Sequence, residues 1–139
     1  MEKANGEESL KELENKVRTY LEERGWDNLR PADVAKSIVI EGAELLELFQ
    51  WENLSLEEVR NNPEKTAEIA KELADVLIYA LEMAVLLRLD AQTIISQKLE
   101  HVIKKYPAEL MRKNAKEPGS AGDSEYWRIK KEHRQRKDS

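Results

Sequence analysis

The sequence predicts an all-α fold, and three observations carry that expectation. Charged residues make up 37% of the 139 and aromatics only 6%, a balance that favours helices over β-branched strands. Five glycines and four prolines leave little material for the tight turns of a sheet. Apolar residues recur at three- and four-residue spacing through several long segments, as helices require.

The elements follow in order. Residues 1–8 are expected to be disordered. Ser9 reads as an N-cap with Glu12 at the capping-box position, opening a helix that carries Leu10, Leu13, Val17, Tyr20 and Leu21. It ends near Arg24-Gly25. After WDNLRPAD a second helix is expected from about Pro31 to Trp51, with proline accommodated in the first turn. Asn53 to Pro63 is a polar link with a helical turn at SLEEV. A third helix runs from about Glu64 to Leu89, and Asp90 reads as the N-cap of a fourth, Ala91 to Lys105. Tyr106 and Pro107 mark its end. The domain therefore spans 9–111. Residues 112–139 form a basic, flexible tail, in which KNAKEPGSAGDS is a breaker-rich linker and SEYWRIKKEHRQRKDS is either a short basic helix or nothing fixed.

Composition narrows the function. The net charge of -5 is uneven, because residues 112–139 carry nine Lys or Arg against five Asp or Glu. An acidic body argues against nucleic-acid binding, which draws its affinity from a basic face. With no cysteine there is no disulfide, thiolate metal site or thiol nucleophile. No apolar run reaches eighteen residues, and MEKANGEESL has neither an h-region nor an Arg-rich amphipathic pattern. A cytoplasmic protein with no membrane association is the expectation.

The stretch EGAELLELFQW, Glu41 to Trp51, poses the chemical question. At 100° per residue Glu41 and Glu44 fall about 60° apart, on the stripe that holds Val34, Ile38, Leu45 and Leu48. An isolated carboxylate among such neighbours would protonate or be costly to bury. In KELADVLIY the pair Glu72 and Asp75 repeats the spacing, sharing its stripe with Ile69, Val76, Tyr79 and Met83, with Glu68 and Glu82 extending the row. Two facing acid pairs need cations, and oxygen-only ligation selects Mg²⁺, with Mn²⁺ as a substitute. The plainer reading stays open: such spacings commonly belong to solvated faces, and Lys36, Lys71 or Arg88 can neutralise them. No Glu-x-x-His accompanies either pair, so a di-iron bundle is not indicated. There is no phosphate-cradling G-x-x-x-x-G-K-[ST] loop and no G-x-S-x-G. His101 and His133 sit in polar surroundings and read as surface residues.

EGAELLELFQW, KELADVLIY and K-x6-KYP, Lys98 to Pro107, together resemble the all-α MazG-like nucleotide pyrophosphohydrolases, most closely their dCTP pyrophosphatase-like branch. The resemblance runs from about Leu13 to Leu110 and includes ERGW, Glu23 to Trp26. It implies a four-helix bundle assembled into a dimer or tetramer, with sites near subunit interfaces. It implies hydrolysis of a nucleoside triphosphate to a monophosphate and pyrophosphate, with Glu41, Glu44, Glu72 and Asp75 binding Mg²⁺. One of these glutamates, or Glu47 one turn on, is the candidate general base. Family positions match Trp26 and Trp51 to the base, Tyr79 to the metal end, and Lys98, Lys105 and Tyr106 to the phosphates. Without the resemblance, the two tryptophans read equally as helix-end packing, and Lys98, Lys105 and Tyr106 as surface charges and a helix terminus.

Two departures bear on the substrate. The family often reads W-x-x-F-H-x-P where this chain has W-D-N-L-R-P, one residue shorter and with Arg30 near the usual histidine. Val102 stands where an asparagine is common. The expected substrate is dCTP or a modified or non-canonical pyrimidine nucleotide, in nucleotide pool sanitation, and dUTP or another non-canonical triphosphate is the alternative on the same scaffold. A non-enzymatic helical interaction module with a basic tail is the alternative from another class.

Overall fold

The structure is a computed structural model that describes residues 6–114 and 123–137. Among these residues every element is helical: α1 (Leu10–Glu23), α2 (Pro31–Glu47), α3 (Leu56–Arg60), α4 (Pro63–Leu86), α5 (Ala91–Lys105), α6 (Ala108–Asn114) and α7 (Asp123–Lys137). The four helices expected from periodicity are α1, α2, α4 and α5, and the SLEEV turn is α3. The expectation of disorder over 1–8 falls partly on residues 1–5, and most of the linker on 115–122, both outside the described residues.

The chain divides into two compact units, one up to Gln92 and one from Thr93. In the first, α2 lies along α4 over most of its length, while α1 and α3 pack on α4. α1 starts as its sequence dictates. Ser9 and Glu12 form the capping box, with the Ser9 amide donating to the Glu12 carboxylate at 2.7 Å. Such a cap stabilises a helix by about 1 kcal/mol. Leu21 is fully buried and Val17 is nearly so. Each such apolar side chain contributes roughly 1.5–3 kcal/mol.

Glu14 lies on the same covered face of α1, only 1% exposed. One of its oxygens accepts from Lys11 Nζ at 3.2 Å, and Oε1 has no partner among the described residues. Lys11 also donates to Asp90 at 3.0 Å, which ties α1 to the residue before α5.

Two boundaries differ from the sequence expectation. The second helix stops at Glu47 rather than Trp51. Lys65, from α4, donates its ammonium to the Leu48 carbonyl, pairs with Glu52 at 3.6 Å and sits over the Phe49 ring. That cation satisfies the helix end, and the amides of Phe49 and Gln50 bond back only three residues, tightening the chain into a turn. α4 ends at Leu86, three residues before Leu89. There Arg88 takes a left-handed φ of 55°, while the Leu89 amide reaches the Ala84 carbonyl at 2.8 Å and the Arg88 amide reaches Val85 at 3.1 Å. These two bonds make a Schellman motif with arginine in the place that glycine usually takes.

In the second unit, α6 packs on α7. The final basic segment, left open between a helix and nothing fixed, is helical over 123–137. Ile129 is buried, Tyr126 stacks on Tyr106 with centroids 5.1 Å apart, and His133 meets His101 edge-on at 6.1 Å. Burial holds the His133 pKa below the usual value, with Lys105, Arg136 and His101 adding to the effect.

Candidate active site

The site is built where α2 and α4 run side by side. On α2, Val34, Ile38, Glu41, Leu45 and Leu48 recur at helical spacing and are at least partly covered. On α4 the corresponding row is Ile69, Glu72, Asp75 and Val76, then Tyr79 and Glu82. The acids of both rows therefore occupy positions that packing would otherwise give to apolar side chains.

Glu41, Glu72 and Asp75 converge. Each offers one carboxylate oxygen, and the three oxygens lie within 4.8 Å of one another. All three residues are half-buried. Lys71 Nζ approaches Glu72 at 3.9 Å from an exposed position, and among the described residues no cation pairs with Glu41 or Asp75. Of the other neutralising candidates, Lys36 is engaged by Asp33 at 3.4 Å. Three hard oxygen donors at this spacing, with so little compensating charge, suit a divalent cation that takes oxygen ligands.

Glu44 stands apart from this trio and is exposed. It sits 60° from Glu41 on the flank away from Leu45, so α4 covers Glu41 and leaves Glu44 open. Glu47 is exposed as well, and so is Glu68 on α4.

Beside the carboxylates is a cavity of about 240 Å³, lined by Tyr20 of α1, Trp26 and Leu29 of the following loop, Asp33, Val34 and Ser37 of α2, and Tyr79 and Glu82 of α4. Trp26 is placed here by the end of α1. Gly25 adopts φ 66°, and the Trp26 amide closes on the Leu21 carbonyl at 2.9 Å, which turns the indole back toward Tyr20. The two rings meet edge-to-face with centroids 5.8 Å apart. Asp33 is held by Arg30 at 2.9 Å as well as by Lys36, and the Arg30 hydrogen bond keeps its carboxyl below the ordinary pKa.

Tyr79 joins the two regions. Burial raises the pKa of its phenol, and the carboxylates of Glu82, Glu41 and Asp75 raise it further. It stays an O–H donor between the acid trio and the cavity. Sequence reasoning selected Trp26 and Tyr79 but not Tyr20, Asp33 or Ser37, whose meeting depends on the loop between α1 and α2. Glu82 was visible only as one more acid in the α4 row.

Trp51 is 88% exposed, on the turn beyond α2, and does not line this cavity. The early end of α2 leaves it there. Lys98, Lys105 and Tyr106 belong to the second unit. Lys98 is exposed on α5, while the Lys105 ammonium lies 5.2 Å from the Tyr106 ring centroid.

The sequence pattern of the MazG-like family matches residues 36–120, which include Glu41, Glu72 and Asp75. The dCTP pyrophosphatase 1 of Homo sapiens is 30% identical over 112 residues, covering 79% of this chain and 66% of the relative. That of Rattus norvegicus is 29% identical over 111 residues, covering 78% and 65%. The chain thus spans just under two thirds of the length of these curated relatives. A pyrophosphatase from Archaeoglobus fulgidus DSM 4304, solved by crystallography, aligns with a TM-score of 0.62 at 34% identity, covering 76% of this chain and 99% of that one.

Proposed function

The chain belongs to the MazG-like family, and from that premise we infer that it is a nucleoside triphosphate pyrophosphohydrolase. The reading is Mg²⁺-dependent hydrolysis to a monophosphate and pyrophosphate. The observation that carries it is the convergence of Glu41, Glu72 and Asp75 from two helices, where among the described residues the exposed Lys71, 3.9 Å from Glu72, is the single cation that pairs with the trio. The names of the relatives, dCTP pyrophosphatase 1 and pyrophosphatase, support the same reading.

The donor set fits the ion, since three carboxylates supply hard oxygens and room remains for water and phosphate. When bound, Mg²⁺ neutralises triphosphate charge, lowers the pKa of the attacking water and stabilises the leaving pyrophosphate. The chain's own part is to hold the reactants. Glu41, Glu72 and Asp75 present their oxygens together from two packed helices, so little reorganisation is needed during reaction. Tyr79 offers an O–H beside them. Trp26 and Tyr20 offer aromatic surface for a base. A glutamate of the trio, or Glu44 or Glu47, takes the proton of the attacking water. Lys98, Lys105 and Tyr106 contact the phosphates in this reading, which rests on their match to the family motif.

The substrate in this reading is dCTP or a modified pyrimidine nucleotide, and the role is pool sanitation in the cytoplasm. The chain works as a homo-oligomer, a reading supported by the apolar side chains left open on α2 and α4. No helix among the described residues is long and apolar enough to cross a membrane.

The test is a panel of every dNTP and NTP with Mg²⁺, following pyrophosphate release. Turnover of none would refute the enzyme. Glu41→Gln and Asp75→Asn are expected to lower kcat/KM by at least about 100-fold, since even outer partners of metal ligands are worth roughly 10–100-fold. Calorimetric Mn²⁺ binding should weaken in parallel, with the helical circular dichroism unchanged. Retained turnover would refute the assigned carboxylates.

A further inference from the structure

Glu82 is the feature that the reaction chemistry leaves unused. It is 5% exposed and lines the Tyr20–Trp26–Tyr79 cavity. Among the described residues nothing pairs with its carboxyl. A buried carboxyl without a partner is costly, so its presence on a cavity wall asks for a ligand.

The other acid there has its partners already. Asp33 is engaged by Arg30 and Lys36, and the Ser37 hydroxyl donates to the Asp33 backbone carbonyl at 3.2 Å. Glu82 and the Tyr79 phenol are left to face a ligand. The cavity, about 240 Å³, is smaller than the roughly 300–1,000 Å³ of pockets that take drug-sized molecules. It has room for a heterocyclic base. Its walls are aromatic, as base stacking requires.

Resting on the reading of this chain as a nucleotide pyrophosphohydrolase, we propose that Glu82 is its base-reading residue, selecting the amino-bearing edge of cytosine over the oxo edge of uracil and thymine. Cytosine presents an N4–H donor beside the ring nitrogen N3, an acceptor. A carboxyl matches both: one oxygen accepts from N4–H, the pairing that Glu and Asp make with cytosine elsewhere. The other shares a proton with N3, whose basicity is close to that of a carboxylate. Uracil and thymine put a weakly basic carbonyl where the amino group would be, and N3 keeps its own hydrogen. An ionised Glu82 accepts from that N3–H with one oxygen, but its other oxygen then faces the O4 lone pairs with no proton to share. A site built around a specific hydrogen bond rejects analogues that cannot make it, because its buried polar group is left unpaired.

The experiment compares dCMP, dUMP and the pyrimidin-2-one deoxynucleotide that lacks the 4-amino group, by calorimetric binding to the full chain, alongside kcat/KM for dCTP and dUTP. The wild type is expected to prefer dCMP to dUMP by at least about tenfold, and to lose about tenfold when the amino group is removed. Glu82→Gln, whose amide can present either an acceptor or a donor, should bring the dCMP-to-dUMP ratio close to one. Equal binding of dCMP and dUMP by the wild type, or a preference unchanged in Glu82→Gln, would overturn the assignment. The pyrimidin-2-one comparison uses unaltered protein, so it stands even if the variant folds poorly. A preference for dCMP that depends on Glu82, with no triphosphate turned over, would support the base reader and refute the enzyme.

Discussion

Glu82 and Glu14 show how a single buried acid reports on its surroundings. For Glu82 the cause is burial alone, which raises its pKa above the ordinary carboxyl value of 4.5. Between those two values the folded chain holds a proton that the unfolded chain has released. Stability is therefore highest below the unfolded value and falls as pH rises through the folded one. Urea melts across the acidic to neutral range should show the stability of the wild type falling relative to that of Glu82→Gln as pH rises; parallel curves would contradict it. Glu14 differs, because one oxygen has Lys11 and the other has no partner among the described residues. Replacing it with a hydrophobe of similar length, Glu14→Met, should leave stability unchanged or raise it by about 1 kcal/mol, as apolar replacements of buried ionic groups often do. A loss of more than that amount in a urea melt would mean that the Lys11 contact matters more than burial costs.

At the scale of elements, α1 and α4 end in the same motif with different residues. Gly25 and Arg88 both take a positive φ, and each is followed by a residue whose amide returns to a carbonyl five positions back. Left-handed backbone costs a side-chain-bearing residue about 1–2 kcal/mol, and a Cβ at Gly25 would meet nothing within 4 Å. Gly25→Ala should therefore destabilise by about 1 kcal/mol through torsion alone. Arg88→Gly relieves the strain but gives the unfolded chain more freedom, so a gain of up to about 1 kcal/mol is expected. Thermal melts of the two variants should move in opposite directions. The glycine end was readable from the sequence because Gly25 follows the last periodic residue. The end of α4 carries no such signal, so periodicity alone runs the helix on to Leu89. The overlong reading of α2 has a similar origin: Lys65, fourteen residues after Trp51 in sequence, folds back to take the Leu48 carbonyl.

At the scale of the molecule the covered core is small and much apolar surface is left open. Val39 and Leu46 on α2 are 71% and 69% exposed, and Leu77 on α4 is 56% exposed. Isolated exposed hydrophobics are ordinary, but among the described residues α2 and α4 carry several, as an interface would. Sedimentation of the wild type should give a mass at least twice the 16.1 kDa of one chain, and Leu77→Glu should shift it toward the monomer. A monomeric wild type would refute the assembly.

The sequence by itself determined the helical class, the start of α1 and the rows that carry Glu41, Glu72 and Asp75, because capping and 3.6-residue periodicity are local properties. It also held the motifs that mark the family. Only the tertiary structure decided which acids meet. Glu44 shares a 60° neighbourhood with Glu41, yet it falls on the margin that α4 does not cover, a distinction set by the packing of two helices. The cavity belongs to the same level: Tyr20, Trp26, Ser37 and Glu82 come from three helices and a loop, and only the fold brings them to one space.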